Sequence, residues 1–195
     1  MPRRIVVGIS GASGAAYAQR LVQQLIAADV EVHLVVSPLG QRLLHDELGV
    51  DVKALAEGDR VVLHQHRDVG APIASGSFKH DGMIICPCSN NTLAAVAQGQ
   101  ANNLMHRAAS VALKERRRVI LAHREMPLSL VEIRNMAAAT EAGAIIAPTN
   151  PGFYMLPRTV EDLVDFVVGR LLDLVDVEHT LNTRWDESPA NRRAD

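Results

Sequence analysis

Apolar and polar residues follow two repeating patterns along this chain. Short β-branched apolar runs predict strands at residues 5–9, 30–37, 61–64, 82–87, 119–122 and 144–147. Between them, apolar residues recur at helical spacing and predict helices at residues 15–28, 38–48, 90–96, 103–116, 128–141 and 160–175. Residues 51–58 are expected to form a short helix or a loop, and residues 67–78 and 148–157 are expected to be irregular.

The order of these elements predicts the fold class. Strands alternate with helices through the whole chain, which is typical of an α/β protein with a doubly wound, mostly parallel sheet and helices on both faces, Rossmann-like or flavodoxin-like. The length of 195 residues fits a single domain, which we place at residues 1–177, followed by a polar C-terminal tail at residues 178–195. Ligands of such sheets bind beyond the carboxyl ends of the strands, so the segments after each strand are the candidates for function.

Composition and charge narrow the function further. The net charge of −2 gives no broad basic surface for nucleic acid, and the apolar run near the N-terminus breaks at Gly8, too early for a signal peptide or a membrane span. Cys86 and Cys88 lie two positions apart on a predicted strand, where side chains point to the same side and a disulfide would be strained. We therefore expect free thiols, a reducing compartment and a cytoplasmic protein.

The first predicted strand runs into a glycine-rich loop, Gly-Ile-Ser-Gly-Ala-Ser-Gly, at residues 8–14. Small residues let backbone N–H groups approach a phosphate, the next helix presents its positive end, and Ser10 and Ser13 add hydroxyl donors. The second strand ends at Ser37 without the acidic residue of dinucleotide sites, and the loop lacks the lysine of a P-loop. A mononucleotide such as FMN therefore fits better than NAD or ATP. The alternative is a tight strand-to-helix turn.

Two other strand ends carry groups suited to the same ligand. Residues 87–92 offer a helix N-terminus, hydroxyls and the carboxamides of Asn90 and Asn91, which suit either the edge of an isoalloxazine ring or ordinary helix capping. Arg124 and Glu125 follow the strand at 119–122. Arg124 is a candidate phosphate ligand and Glu125 a candidate general acid/base, and the alternative is a surface ion pair between these neighbours.

Cationic and aromatic residues in the second half of the chain predict an anion site. Arg107 and Lys114 lie two helical turns apart on one face, either as an anion site or as a solvated face. Tyr154 follows a Pro-Gly turn in a chain with 3% aromatic residues and is a candidate phosphate donor, while its neighbour Phe153 suits a ligand contact or plain core packing. Arg170 is expected on the apolar-rich side of the last helix, where it needs a partner such as a phosphate.

Together these segments resemble the flavin prenyltransferases of the UbiX type, a family long described as aromatic acid decarboxylases. The resemblance extends from residue 3 to about residue 175. It rests on the loop at 8–14 and on blocks at residues 75–78 (SGSF), 86–89 (CPCS), 102–104 (NNL), 107–109 (RAA), 113–117 (LKERR), 124–128 (REMPL), 151–154 (PGFY) and 160–166 (VEDLVDF). It implies that the chain binds reduced FMN and dimethylallyl monophosphate, joins the prenyl group to flavin N5 and C6 without a metal, and supplies the product to a partner decarboxylase.

The resemblance also implies roles for individual residues. Glu125 is similar to the family's acid/base residue, and Ser13 to the loop serine beside it. Glu47 is similar to a glutamate that reaches a neighbouring subunit's site, although a solvated helix charge is an equal alternative. The leaving phosphate would be held by Arg107, Lys114, Tyr154 and Arg170. The implied FMN contacts are Gly11, Ala12, Ser13, Ser37, Cys88, Ser89, Asn90, Asn91 and Arg124, and the implied assembly is a homo-oligomer, usually a dodecamer.

The chain departs from the family pattern at Met155, at His106 and at the pair Asn90-Asn91, which belong to segments near the flavin and the prenyl phosphate. Two alternatives stay open at this stage. One is a flavin-dependent cysteine decarboxylase of the same fold, and the other is a flavin-binding accessory subunit without catalysis. The sequence leaves open the partner decarboxylase, its pathway, and the choice between a monophosphate and a diphosphate donor.

Overall fold

A computed structural model of the chain describes residues 3–181 and residue 183. Its strands are β1 (Arg4–Ile9), β2 (Glu31–Val36), β3 (Val61–His64), β4 (Gly82–Cys88), β5 (Val119–His123) and β6 (Ile145–Ile146). Its helices are α1 (Ala15–Ala27), α2 (Pro38–Leu48), α3 (Val52–Leu55), α4 (Asn90–Ala97), α5 (Leu104–Lys114), α6 (Leu130–Glu141) and α7 (Val160–Leu174), with a short 3₁₀ helix at Pro72–Ala74. None of the helices in this described part is long and apolar enough to cross a membrane.

The strands form one parallel sheet in the order β3-β2-β1-β4-β5-β6. The chain moves outward from β1 to β3, then crosses back to β4 on the other side of β1. The carboxyl ends of β1 and β4 therefore flank the switch point where doubly wound sheets bind ligands. The predicted fold class is confirmed.

Side-chain alternation along the strands builds a core on each face of the sheet. Ile5 and Val7 of β1 pack with apolar residues of α1, α2 and α7, while Val6 between them packs with residues of α4, α5 and α6. The strands are apolar on both faces because helices cover both. The predicted placement of helices on the two sides is confirmed.

The two cysteines point to opposite faces of the sheet, so our expectation that they share a side is wrong. Cys86 belongs to the α1–α7 core and Cys88 to the α4–α6 core. The register between β4 and β5 shifts between Ile85 and Cys88, and this irregularity reverses the alternation. Both thiols are free and fully buried. Burial raises the pKa of the Cys86 thiol to about 12.

The first residues of the predicted tail pack against α7 of the same chain. His179 forms a hydrogen bond with Asp173, with 3.2 Å between Nε2 and Oδ1, and Thr183 is 2% exposed. Both side chains lie against Gly169 of α7. The domain boundary at residue 177 stays a prediction, and residues 182 and 184–195 of the tail lie outside the described residues.

Candidate functional site

A cavity of about 450 Å³ opens at the carboxyl ends of the central strands. Two helix N-termini meet there. Ser37 caps α2, its Oγ accepting the N–H of Gly40 at 3.0 Å, and Ser89 caps α4, its Oγ accepting the N–H of Thr92 at 3.4 Å. The cavity is also lined by Gly11, Asn90, Asn91 and Glu125. Helix N-termini favour anions, so this wall suits a phosphate group.

The glycine-rich loop is held in place by Ser10, which is 1% exposed. Its hydroxyl donates to the carbonyl of Pro87 at 2.8 Å and accepts the backbone N–H of Ser89 at 2.8 Å. The expectation that the Ser10 hydroxyl donates to a phosphate is therefore wrong, because this hydroxyl donates its hydrogen bond to the carbonyl of Pro87. Ser10 instead fastens the end of β1 to the end of β4. Ser13, further along the loop, is exposed.

The positive end of α1 is not open to a ligand in this chain, which corrects a second expectation. The carboxylate of Glu47, in α2, accepts the backbone N–H groups of Gly14 at 3.0 Å and Ala15 at 2.8 Å. A carboxylate at a helix N-terminus is stabilised by the helix dipole. Glu47 is thus neither a free helix charge nor, within this chain, part of the cavity wall. A phosphate bound at the sheet edge would face α2 and α4 instead.

Close backbone approach explains the glycine at position 11. A Cβ added to Gly11 would lie 2.5 Å from the Cβ of Leu39, in the first turn of α2. The loop and α2 can therefore form one continuous wall only if residue 11 lacks a side chain. Ala12 beside it is 6% exposed and lies largely beneath this surface.

Glu125 sits on a wall between two cavities. It lines the cavity described above and also an adjacent one of about 520 Å³, formed with Arg124, Met126, Leu128 and others. One carboxylate oxygen accepts the side-chain amide of Asn90 at 2.8 Å, and the other accepts the backbone N–H of Met126 at 3.0 Å. The side chain itself is exposed. An acceptor placed between two cavities can exchange protons with ligands in both.

Arg124 carries a buried polar atom with no hydrogen-bond partner among the described residues, its Nε. The backbone N–H of Arg124 donates to the carbonyl of Cys88 at 3.2 Å, which fixes the residue at the edge of the sheet. A buried guanidinium nitrogen without an acceptor is costly, and an anionic ligand would satisfy it. Cys88 is a predicted FMN contact, but its thiol faces the core, where burial raises its pKa.

The four predicted phosphate ligands lie on other surfaces of the chain. Arg107 is exposed, and Lys114 forms an exposed ion pair with Glu115 at 3.3 Å. Tyr154 is half exposed and packs edge-on against Phe166, with 5.6 Å between ring centroids. Phe153, its neighbour, is 69% exposed and does not lie in the core of this chain.

Arg170 differs from its predicted placement. It lines a separate cavity of about 240 Å³ beside Phe166 and Asn150, yet its side chain is 54% exposed and forms an ion pair with Asp173 at 2.9 Å. Within this chain Asp173 provides a partner of the kind that Arg170 was expected to need, and the phosphate contact stays a prediction. The structure brings together Gly11, Ser37, Ser89, Asn90, Asn91 and Glu125 around one cavity. None of the four predicted phosphate ligands lines that cavity, although Tyr154 and Arg170 both adjoin Phe166.

Sequence reasoning assigned no cavity role to Leu39, His66, Asn103 and Met105, and treated His106 as a departure. His66 follows β3, so the rule that ligands bind after strands would have found it. His106 is 6% exposed, accepts the side-chain amide N–H of Asn103 at its Nδ1 with 3.1 Å between the nitrogens, and has its pKa lowered by burial. The cavity thus presents a neutral imidazole. In the described part of the chain, His, Cys, Asp and Glu side chains form no group of three or more placed to hold a metal ion.

Comparison with known proteins places this arrangement in a family. Residues 1–172 match the family model described as Flavoprotein. The flavin prenyltransferase UbiX of Halalkalibacterium halodurans is 46% identical over 194 residues, which cover 95% of this chain and 94% of the relative. The crystal structure of AnUbiX (PadA1) in complex with FMN and dimethylallyl pyrophosphate matches with a TM-score of 0.92 and 43% identity, covering 96% of this chain and 100% of that one.

A second solved structure adds the assembly of a relative. It is the dodecameric FMN-dependent UbiX-like decarboxylase from Escherichia coli O157:H7, with a TM-score of 0.89 and 41% identity, covering 94% of this chain and 99% of that chain. The matches extend across nearly the full length of both partners, so they include the cavity and every strand end described above. The chain belongs to the flavoprotein family and, within it, to the UbiX-type flavin prenyltransferases.

Proposed function

We propose that this protein transfers a dimethylallyl group from dimethylallyl monophosphate to N5 and C6 of reduced FMN. The observation that carries the proposal is the position of Glu125, on the wall shared by a cavity with two helix N-termini and an adjacent cavity beside Arg124. The first cavity suits a mononucleotide in volume, at about 450 Å³. The second offers an apolar surface for a prenyl chain next to a buried guanidinium.

The residues lining the first cavity fit FMN. The N-termini of α2 and α4, with Ser37 and Ser89, suit the phosphate. Gly11 permits close approach of the ligand to the backbone, and the carboxamides of Asn90 and Asn91 suit the polar edge of the ring. The contact predicted for Ala12 would be through its backbone, because its side chain is 6% exposed. Arg124 would give its unsatisfied Nε to an anionic group.

Reduced FMN, when bound, supplies the electron-rich atoms that accept the prenyl group. The protein's own contribution is to orient the two substrates, exclude water and manage protons. Glu125 would receive the proton of flavin N5 and return one to the departing phosphate, with Ser13 beside it. Since a monophosphate is a poor leaving group, cations must stabilise it, and we assign this role to Arg107, Lys114, Tyr154 and Arg170.

We infer that the phosphate site is completed in a homo-oligomer. Arg107 and Lys114 lie on α5, whereas Tyr154 and Arg170 both adjoin Phe166 of α7, and a symmetric assembly can bring two such surfaces together. Exposed apolar residues on and before α6, including Met126 at 87% exposure and Val131 at 63%, give the chain a surface suited to burial between copies. A dodecamer, as in the Escherichia coli relative, is the proposed state. Glu47 could then also face a neighbouring site.

The proposal includes the setting of the reaction. The product would serve as the cofactor of a partner decarboxylase, which receives it from this protein. A cytoplasmic, reducing compartment fits both reduced FMN and the free thiols of Cys86 and Cys88. We propose the monophosphate as donor and a reaction that uses no metal.

One anaerobic assay tests the proposal. The purified oligomer is incubated with reduced FMN and dimethylallyl monophosphate, and the extracted flavin is weighed by mass spectrometry. We expect a flavin heavier by one prenyl unit, unaffected by a metal chelator and strongly reduced in Glu125→Gln. The diphosphate, run in parallel, identifies the donor.

This assay and one with a second substrate separate the alternatives. If the flavin mass is unchanged in both the wild type and Glu125→Gln, the prenyltransferase is rejected. The remaining alternative is then an accessory subunit that carries flavin. Release of CO₂ from a cysteine-terminated substrate, with oxidised FMN, would instead identify a cysteine decarboxylase.

A further inference from the structure

The side chain of Asn90 bridges two residues at the end of β5. Its Nδ2 donates to the Oε2 of Glu125 at 2.8 Å, and its Oδ1 meets the Nε2 of His123 at 2.6 Å. His123 is the last residue of β5 and is 3% exposed, while Asn90 is the first residue of α4. The chain of contacts therefore runs from a buried imidazole to the exposed carboxylate that lines both cavities.

Elementary hydrogen-bond chemistry fixes which atom donates and which accepts in each of these two hydrogen bonds. An ionised carboxylate only accepts, so the amide nitrogen of Asn90 must face Glu125 and its oxygen must face His123. That oxygen accepts, so the Nε2 of His123 must carry a proton. The roles of amide atoms and imidazole tautomers are assigned from such networks. The three side chains then have one consistent arrangement.

His123 is suited to a fixed role because its surroundings favour the neutral ring. Burial lowers its pKa, and the charged groups that act on it are Glu125 and Glu132, which oppose this shift, and Arg124, which reinforces it. The backbone of His123 is held in the β4–β5 register opposite Cys88. The imidazole is therefore an anchored donor whose position is set by the sheet.

Glu125 itself has little else to hold it. Its other oxygen accepts the N–H of Met126, the next residue, and the side chain is exposed. A general acid/base must keep its reacting oxygen in place, since small misplacements are costly to the rate. Asn90 provides the hydrogen bond to the other carboxylate oxygen.

We propose that Asn90 and His123 are positioning residues for Glu125, with His123 orienting the Asn90 carboxamide and Asn90 holding the Glu125 carboxylate on the wall between the two cavities. This inference rests on the proposed function, because it concerns the same proton transfer. The hydrogen bonds given for the described residues connect His123 to the carboxylate through Asn90. The effects of losing the two residues must therefore overlap.

The test uses four variants of the intact oligomer at saturating reduced FMN and dimethylallyl monophosphate. We expect Asn90→Ala and His123→Leu each to lower the single-turnover rate of prenyl transfer about tenfold. His123→Gln, which keeps an N–H donor near the Nε2 position, should retain most of the rate. The double variant, Asn90→Ala with His123→Leu, should be no slower than Asn90→Ala alone.

Additive losses in the double variant, or a His123→Gln variant as slow as His123→Leu, would overturn the proposal. A purely structural effect of His123→Leu would lower the melting temperature and would not depend on the residue at position 90. Crystal structures of the wild type and Asn90→Ala with FMN give a readout independent of activity. The proposal requires the Glu125 carboxylate to leave its wild-type position in the variant, and an unmoved carboxylate refutes it.

The two proposals can fail separately. If the wild type makes no prenylated flavin, the proposed function falls, and the crystal structures alone decide whether Asn90 positions Glu125. If the wild type is active and Asn90→Ala reacts at the same rate, the bridge is irrelevant to the reaction and only this inference is rejected.

Discussion

At the scale of single residues, Gly11 decides how closely the β1–α1 loop approaches α2. Since an added Cβ would lie 2.5 Å from the Cβ of Leu39, Gly11→Ala must push the loop and the α2 N-terminus apart. We expect FMN affinity to fall about tenfold or more, because the phosphate wall loses its geometry. Titration of FMN by fluorescence quenching measures this. Gly70→Ala is the matched control, since a Cβ added at Gly70 lies 3.5 Å from its nearest neighbour. This variant should bind FMN with the affinity of the wild type.

Glu47 tests whether a residue with an expected catalytic role also has a structural one. Its carboxylate accepts two backbone N–H groups at the start of α1. Glu47→Gln removes the charge and should lower stability by about 1 kcal/mol. The melting temperature measures the effect, and the exposed Glu57→Gln provides a control that should not change it. A Glu47→Gln protein that melts like wild type but transfers no prenyl group would show that the capping contact is unimportant.

At the scale of elements, α7 supports the segment that follows it. A Cβ on Gly169 would lie 2.4 Å from the Thr183 methyl group and 2.9 Å from His179, so Gly169→Ala must displace the side chains of His179 and Thr183. We expect faster hydrogen exchange at these residues, while α7 itself gains helix propensity of up to about 1 kcal/mol. Unchanged exchange in this segment would show that the packing against Gly169 is dispensable. Gly70→Ala, where the added Cβ meets its nearest neighbour only at 3.5 Å, controls for a glycine-to-alanine change without a clash.

Most elements could be predicted from the chain because local pattern decides them. Apolar runs predicted β1 to β5 nearly to the residue, and the helices predicted to begin at residues 90 and 160 do begin there, capped by Ser89 and Thr159. The irregular pairing after Ile85 could not be predicted, since strand alternation carries no sign of a register shift that arises in pairing with β5. That shift placed Cys86 and Cys88 on opposite faces.

At the scale of the whole molecule, topology determined which predicted site residues meet. Every residue that follows a central strand was expected at one edge of the sheet, and Gly11, Ser37, Asn90 and Glu125 do lie around one cavity. Partners of single groups could not be foreseen. The Glu47 carboxylate, in α2, accepts N–H groups at the start of α1, and the carbonyl of Pro87 accepts the hydrogen bond of the Ser10 hydroxyl. Neither contact follows from local sequence, because each depends on how distant segments pack. The proposed phosphate ligands on α5 and α7 do not line this cavity, and the proposal that other copies of the chain bring them to it is one that no single-chain pattern describes.

Buried histidines make the folding stability of the whole molecule depend on pH. Burial lowers the pKa of His33, His64, His80, His106 and His123, and that of His80 falls from 6.5 to about 4. Below about pH 6.5 the unfolded chain binds protons that the folded chain excludes. Stability is therefore complete above this pH and is lost as the pH falls toward 4.

His80 allows this dependence to be measured at one site. It is 7% exposed and its Nδ1 contacts the carbonyl of Gly82 at 3.0 Å, so the ring must donate there. His80→Asn keeps a donor near that position but cannot take up a proton. At about pH 5 the wild type should lose about 2 kcal/mol through His80 relative to neutral pH, and the variant should be spared this part of the loss. Urea unfolding at the two pH values compares them, with exposed His45→Asn as the control. Equal pH dependence in His80→Asn and the wild type would mean that His80 is protonated in the folded protein, so its burial would not drive the acid sensitivity.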